Sequence, residues 1–97
     1  MKSLDVLTEL EETIIARLAD ANPSSSYTAR LAAAGVSRVA QKVGEEGVEV
    51  AIAAASGASD EELIAESADL LYHLTVLLAV RGLSLPDVAR VLAARQA

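Results

Sequence analysis

The chain has 97 residues, enough for one domain of four or five helices or one small sheet and too few for a multidomain enzyme. Fourteen acidic against eight basic residues give a net charge of −6, and beyond Lys2 the bases Arg17, Arg30, Arg38, Lys42, Arg81, Arg90 and Arg95 are scattered, so no basic stripe is offered to a nucleic-acid backbone. The absence of cysteine removes disulfides, thiolate catalysis and zinc or iron–sulfur sites built on sulfur.

In chain order, no stretch alternates apolar and polar residues for long enough to suggest a sheet, whereas helical spacing recurs between well-marked breaks. The expected class is all-α. A first helix is predicted from about Leu4, behind Ser3 as N-cap, to about Ala19, with Leu4, Leu7, Ile14 and Leu18 along one side and Asn22-Pro23 as its stop. The serines from Ser24 to Ser26 can cap a short helical piece through Tyr27, Arg30 and Leu31 that stops at Gly35, and the same segment also reads as a flexible loop. A third helix is predicted from near Ser37 to about Ala55, broken by Ser56-Gly57. Ser59-Asp60-Glu61-Glu62 has the form of a capping box and opens the longest helix, to about Arg81, closed by Gly82. Ser84-Leu85-Pro86-Asp87 starts a last amphipathic helix with Leu85, Val88 and Leu92 on one face.

Hydrophobic residues make up 53 % of the chain while the only aromatics are two tyrosines, so Ala, Leu, Val and Ile supply the core. A short chain buries a limited fraction of its surface, and so much apolar material is expected to be covered in part by a second copy, making a homodimer of a single 1–97 domain. The longest nearly apolar run, Leu74 to Val80, is short for a bilayer span, and no signal-peptide core follows Lys2, so a cytoplasmic protein with no membrane partner is expected.

The charges of the two central helices are confined to narrow stripes. At roughly 100° per residue, Lys42, Glu45, Glu46 and Glu49 share an arc of about 100°, and Glu62, Glu66, Asp69 and His73 form a similar stripe on the next helix. Val39, Val43, Val48, Ala51 and Ile52 fill the rest of one circumference, and Leu63, Ile64, Leu70, Leu71, Leu74 and Leu78 the other, so both helices read as buried on most sides. A short connection predicts antiparallel neighbours whose acids converge. Converging carboxylates in an apolar bundle repel one another unless cations neutralise them, and an all-oxygen donor set suits a hard divalent ion such as Mg²⁺ or Mn²⁺. The plainer reading is a solvated acidic face with Lys42 and Arg38 as spacing partners; the matching pair Glu66 and Asp69 on a second apolar helix weighs against it. His73 reads as a core or interface histidine, since no second nitrogen or sulfur ligand accompanies it. Tyr27 and Tyr72 read as packing residues, and Glu62 is accounted for by the capping box. Arg30 and Arg38 are surface charges that become phosphate-binding candidates if the metal site exists.

Glu45-Glu46-x-x-Glu49, then sixteen residues, then Glu66-x-x-Asp69, resembles the signature of the all-α nucleoside-triphosphate pyrophosphohydrolases, the MazG-like superfamily that includes dimeric dUTPases. The surrounding segments SSYTARLAAAG, VAQKVGEEGVEVAIAA and ADLLYHLTVLLAVRGLSL are similar, more narrowly, to the phosphoribosyl-ATP pyrophosphatase family, and the likeness runs from about Leu4 to Leu92. This resemblance implies hydrolysis of phosphoribosyl-ATP to phosphoribosyl-AMP and pyrophosphate, the second step of histidine biosynthesis, by Mg²⁺-dependent cleavage between the α and β phosphates. It also implies an α-helical homodimer with helices of both chains around the site. Glu46, Glu49, Glu66 and Asp69 match the metal-binding acids, and Glu45 matches the first acid of the signature, with a water-orienting role. Lys42 and Arg30 stand where cationic residues would meet phosphate or ribose-phosphate oxygens. Gly47 and Ser67 occupy positions where alanine is usual, and glycine costs about 1 kcal/mol of helix propensity. The cyclohydrolase that follows, fused to this activity in some organisms, is expected to be a separate protein, with direct contact left open.

Carboxylates alone would repel a polyphosphate, so metal ions are expected between the acids and the substrate, with one carboxylate as base toward the attacking water; spacing does not say which. Three other readings remain: a housecleaning enzyme acting on canonical or damaged nucleoside triphosphates, against which the Ser24 to Leu31 segment argues; a non-catalytic helical dimerisation module; and a di-iron bundle, which needs a Glu-x-x-His on each of two helices while this chain has a single histidine.

Overall fold

The computed structural model describes residues 3–96, which form five helices and no strand: α1 (Asp5–Asp20), α2 (Tyr27–Ala33), α3 (Val36–Ala55), α4 (Asp60–Val80) and α5 (Leu85–Arg95). Met1, Lys2 and Ala97 lie outside the described residues.

The breaks follow local chemistry. The expected Ser3 cap is not formed: Leu4 bounds α1 without any side-chain hydrogen bond to its free amides. The helix ends at left-handed Ala21 (φ 52°), whose N–H donates to the Arg17 carbonyl at 3.0 Å, one residue before Asn22-Pro23. The segment that sequence left open between helix and loop is helical, because Ser26 accepts from the Ala29 amide at 3.2 Å and Ala29 and Leu31 are buried. Ser24 and Ser25 do not cap; their hydroxyls donate to Asn22, at its Oδ1 (2.7 Å) and its carbonyl (3.2 Å). Both central helices close in the same way. Gly57 (φ 74°) and Gly82 (φ 73°) turn left-handed, so that Ala58 N–H reaches the Ala53 carbonyl at 3.1 Å and Leu83 N–H the Leu78 carbonyl at 2.7 Å. Ser59 caps α4 through the Glu62 amide, but the reciprocal half of that box is absent; the complete box is at Ser84 and Asp87, at the start of α5.

α3 and α4 make the most extensive pairing, antiparallel across residues 56–59, while α1 and α2 close one side. Ile14, Leu31, Val39 and Val76 form the buried core where these four helices meet, with Leu10, Leu18 and Tyr72 packed against it. α5 has no buried residue, and its tie to α1 is the Glu11 carboxylate accepting from the Leu85 amide at 2.6 Å.

The expectation that α3 and α4 are buried nearly all round does not hold for one chain. Val48, Ile52 and Ile64 are 57 %, 59 % and 68 % exposed, since α1 and α2 cover only the side on which Val39 and Val76 lie. α4 is also long and apolar enough, by length and composition, to cross a membrane, although Leu74 to Val80 alone is not. Over its last 18 residues the only charges are Glu66 and Asp69.

Candidate active site

Antiparallel pairing places the middle of α3 against the first half of α4. Glu46, Glu66 and Asp69 each offer a carboxylate oxygen, and these atoms lie within 4.8 Å of one another. Glu46 is buried at 6 % exposure, Glu66 half-buried and Asp69 exposed, so the cluster runs from the helix interface out to solvent.

The two oxygens of Glu46 have different surroundings. Oε1 lies 3.5 Å from the Lys42 ammonium one turn earlier and 3.9 Å from Nδ1 of His73 on α4. Oε2 is buried with no hydrogen-bond partner, and the same is true of Glu66 Oε2. A buried, unsatisfied carboxylate oxygen is costly, and two of them on facing helices is an arrangement that a cation would relieve. Three oxygens from carboxylates, with an open side at Asp69, fit a hard divalent ion that retains water, and among the described residues no sulfur or imidazole joins the three to favour a softer one.

Glu49 lies outside this three-residue cluster. It is exposed, and with Glu62, Glu66, Ile52, Ala53 and Ser56 it lines an adjoining cavity of about 220 Å³. Glu62 is therefore more than a helix-start residue: it lines this cavity with Glu49, one turn before Glu66. The i, i+4 spacing of Glu62 and Glu66 was the available signal, masked by the capping-box pattern. Glu45 pairs with Arg38 at 3.7 Å and stands apart from the three acids. Lys42 is drawn to Glu46. Arg30 is engaged elsewhere, donating to the Pro23 carbonyl at 3.1 Å with its guanidinium 5.9 Å from the Tyr27 ring centre.

A second polar layer sits behind the acids. His73, 7 % exposed, is hydrogen-bonded through Nδ1 to the Asp69 carbonyl at 2.8 Å and through Nε2 to the Tyr27 hydroxyl at 3.1 Å. The neighbouring residues repeat the link, with the Thr28 hydroxyl bonded to that of Tyr72. The three rings pack together, at centroid distances of 6.2 Å for Tyr27–Tyr72 and 5.0 Å for Tyr72–His73. Ser67, one of the two positions where alanine was expected, bonds its hydroxyl back to the Leu63 carbonyl at 2.8 Å and leaves the acids untouched.

Comparison with known proteins meets this geometry from a second direction. The family model for phosphoribosyl-ATP pyrophosphohydrolase matches residues 7–96, which include every acid described above. A phosphoribosyl-ATP pyrophosphatase of Pyrobaculum calidifontis is 53 % identical over 93 residues, covering 96 % of this chain and 97 % of that protein. Its counterpart from Erythrobacter litoralis is 55 % identical over 85 residues, 88 % of this chain and 80 % of that one. The histidine biosynthesis bifunctional protein HisIE of Vibrio cholerae is 62 % identical over 77 residues, but that match covers 79 % of this chain and only 36 % of the longer protein. The chain thus spans well under half the length of such bifunctional relatives. With the matched region running over nearly all the described residues, the chain belongs to the phosphoribosyl-ATP pyrophosphohydrolase family.

Proposed function

We propose that the protein hydrolyses phosphoribosyl-ATP to phosphoribosyl-AMP and pyrophosphate, the second step of histidine biosynthesis, in the cytoplasm and as a homodimer of one domain. The observation that carries the proposal is the pair of orphaned carboxylate oxygens, Glu46 Oε2 and Glu66 Oε2, beside Asp69 in a chain of this family. Glu46, Glu66 and Asp69 would hold Mg²⁺, or Mn²⁺ in its place, with Glu49, matched to the same ligand set, on the adjoining cavity that Glu66 also lines. The bound ion would neutralise phosphate charge and acidify a coordinated water.

The chain's own residues supply the rest. Glu46 is buried at the α3–α4 interface, with Oε1 beside Lys42, so its carboxylate is confined there before substrate arrives. Glu49 and Glu62, which line the cavity next to Glu66, would accept a proton from the attacking water, and Glu45, beside Glu49 on α3, would orient that water on leaving Arg38. Lys42 and Arg30 are the cations proposed to meet phosphate or ribose-phosphate oxygens; each must leave its present partner to do so, Lys42 from Glu46 and Arg30 from the Pro23 carbonyl. The exposed stripe of Val48 and Ile52 on the Glu49 side of α3 supports the dimer, because a second copy covering it would wall the cavity. Relatives named as bifunctional histidine-biosynthesis proteins support a cyclohydrolase as the enzyme that takes the product.

Pyrophosphate release tests this. Purified protein with Mg²⁺ is expected to act on phosphoribosyl-ATP far faster than on ATP, dUTP or dCTP, and to stop on chelation. Preference for a simple nucleotide would move the chain to the housecleaning enzymes, and silence on all four would leave the dimerisation module.

A further inference from the structure

The polar layer behind the acids has no part in the chemistry above, yet it includes one of the most deeply buried titratable groups in the chain, His73. Its surroundings define its tautomer. The Asp69 carbonyl, 2.8 Å from Nδ1, can only accept, so Nδ1 carries the proton. In the neutral ring Nε2 is then the acceptor, and the Tyr27 hydroxyl 3.1 Å away donates to it. The opposite tautomer would set the Nδ1 lone pair against two oxygens, the Asp69 carbonyl and Glu46 Oε1 at 3.9 Å.

This arrangement has a consequence for the acids. The Nδ1–H is held one turn along α4 from Asp69 and beside the Oε1 edge of Glu46, on α3. Lys42 lies at that same edge, and Oε2 is left without a partner. We propose that His73, held between the Asp69 carbonyl and the Tyr27 hydroxyl, is a positioning residue that sets Glu46 Oε2 toward the divalent cation it shares with Asp69. It touches neither cation nor substrate. Tyr27 stands 46 residues away on α2, so this short helix contributes to the acid site through a single hydroxyl. The role rests on the metal-dependent reading above.

Two measurements on the intact protein test it. In the metal-free wild type, nitrogen-15 imidazole spectra are expected to show the Nδ1–H form, and Tyr27→Phe, which keeps the ring and its packing, is expected to shift the Nε2 resonance by removing its hydrogen bond. In Mn²⁺ titrations Tyr27→Phe and His73→Gln are expected to weaken binding by about 10-fold, the lower end for groups that orient metal ligands. His73→Asn, whose amide N–H stands where Nδ1–H stood, is expected to retain affinity within about 3-fold on the same scale. A merely structural histidine would lower the melting temperature of all three variants and leave Mn²⁺ affinity unchanged. The Nε2–H form in the wild type, or equal affinity of Gln and Asn variants, would overturn the positioning role alone. A wild type that binds no Mn²⁺ would overturn both it and the metal-dependent reading.

Discussion

Asp69 and Glu66 show how one residue type carries opposite consequences for stability and for chemistry. Each sits within 4.8 Å of two other carboxylates, an arrangement that disfavours the folded state until a cation is present. Asp69→Asn and Glu66→Gln are therefore expected to lower pyrophosphate release by about 100-fold or more while far-UV circular dichroism stays helical. The melting temperature should hold or rise, since relief of one like-charge contact is worth about 0.5 kcal/mol. Loss of helicity in both variants would assign the acids a structural role. At this scale the sequence carried the acid stripes by spacing alone. It hid Glu62 behind a helix-start pattern that is half formed, and the partner of His73 was invisible because Tyr27 lies in a different helix.

Among elements, α3 and α5 respond differently to change. Gly47 lies inside α3 with nothing within 4 Å of where a Cβ would stand. Gly47→Ala is expected to stabilise by about 1 kcal/mol, read as a higher urea midpoint with unchanged slope. A loss of stability would mean that another chain approaches that position. α5 depends on its cap. The Ser84 backbone amide, then its hydroxyl, and Arg90 hold the Asp87 carboxyl below its ordinary value of 3.8. A lowered folded pKa means that the stabilisation is complete above pH 3.8 and is lost as pH falls through the folded value. Amide protection factors in α5, corrected for the intrinsic exchange rate at each pH, are expected to fall on acidification through that window, and Asp87→Asn should remove this dependence. A variant whose protection still fell there would point to another group. The serine-rich segment before α2 illustrates what local pattern leaves open: three serines offered caps, and burial of Ala29 and Leu31 decided that Ser26 is the one used.

For the whole molecule, the dominant feature is apolar surface that one chain does not cover. Val48, Ile52 and Ile64 are more than half exposed on the two central helices, and an apolar groove of about 430 Å³ runs between the start of α1 and α5. Soluble monomers rarely leave contiguous patches of this kind open. Light scattering is expected to give twice the 10.0 kDa of one chain, and Ile52→Glu should shift the species toward the monomer. A folded, active species at 10.0 kDa would overturn the dimer.

The sequence by itself determined that the chain is helical, where α3 to α5 break, and that two acidic stripes lie on adjacent apolar helices, because helix periodicity and capping are set within a few residues. Tertiary structure decided which acids meet. Glu46, Glu66 and Asp69 converge, while Glu45 turns to Arg38 and Glu49 lines the neighbouring cavity, since the crossing of α3 and α4 is set by packing around Val39 and Val76. It also placed Tyr27 against His73, a contact between residues 46 apart that arises only when α2 closes over α4.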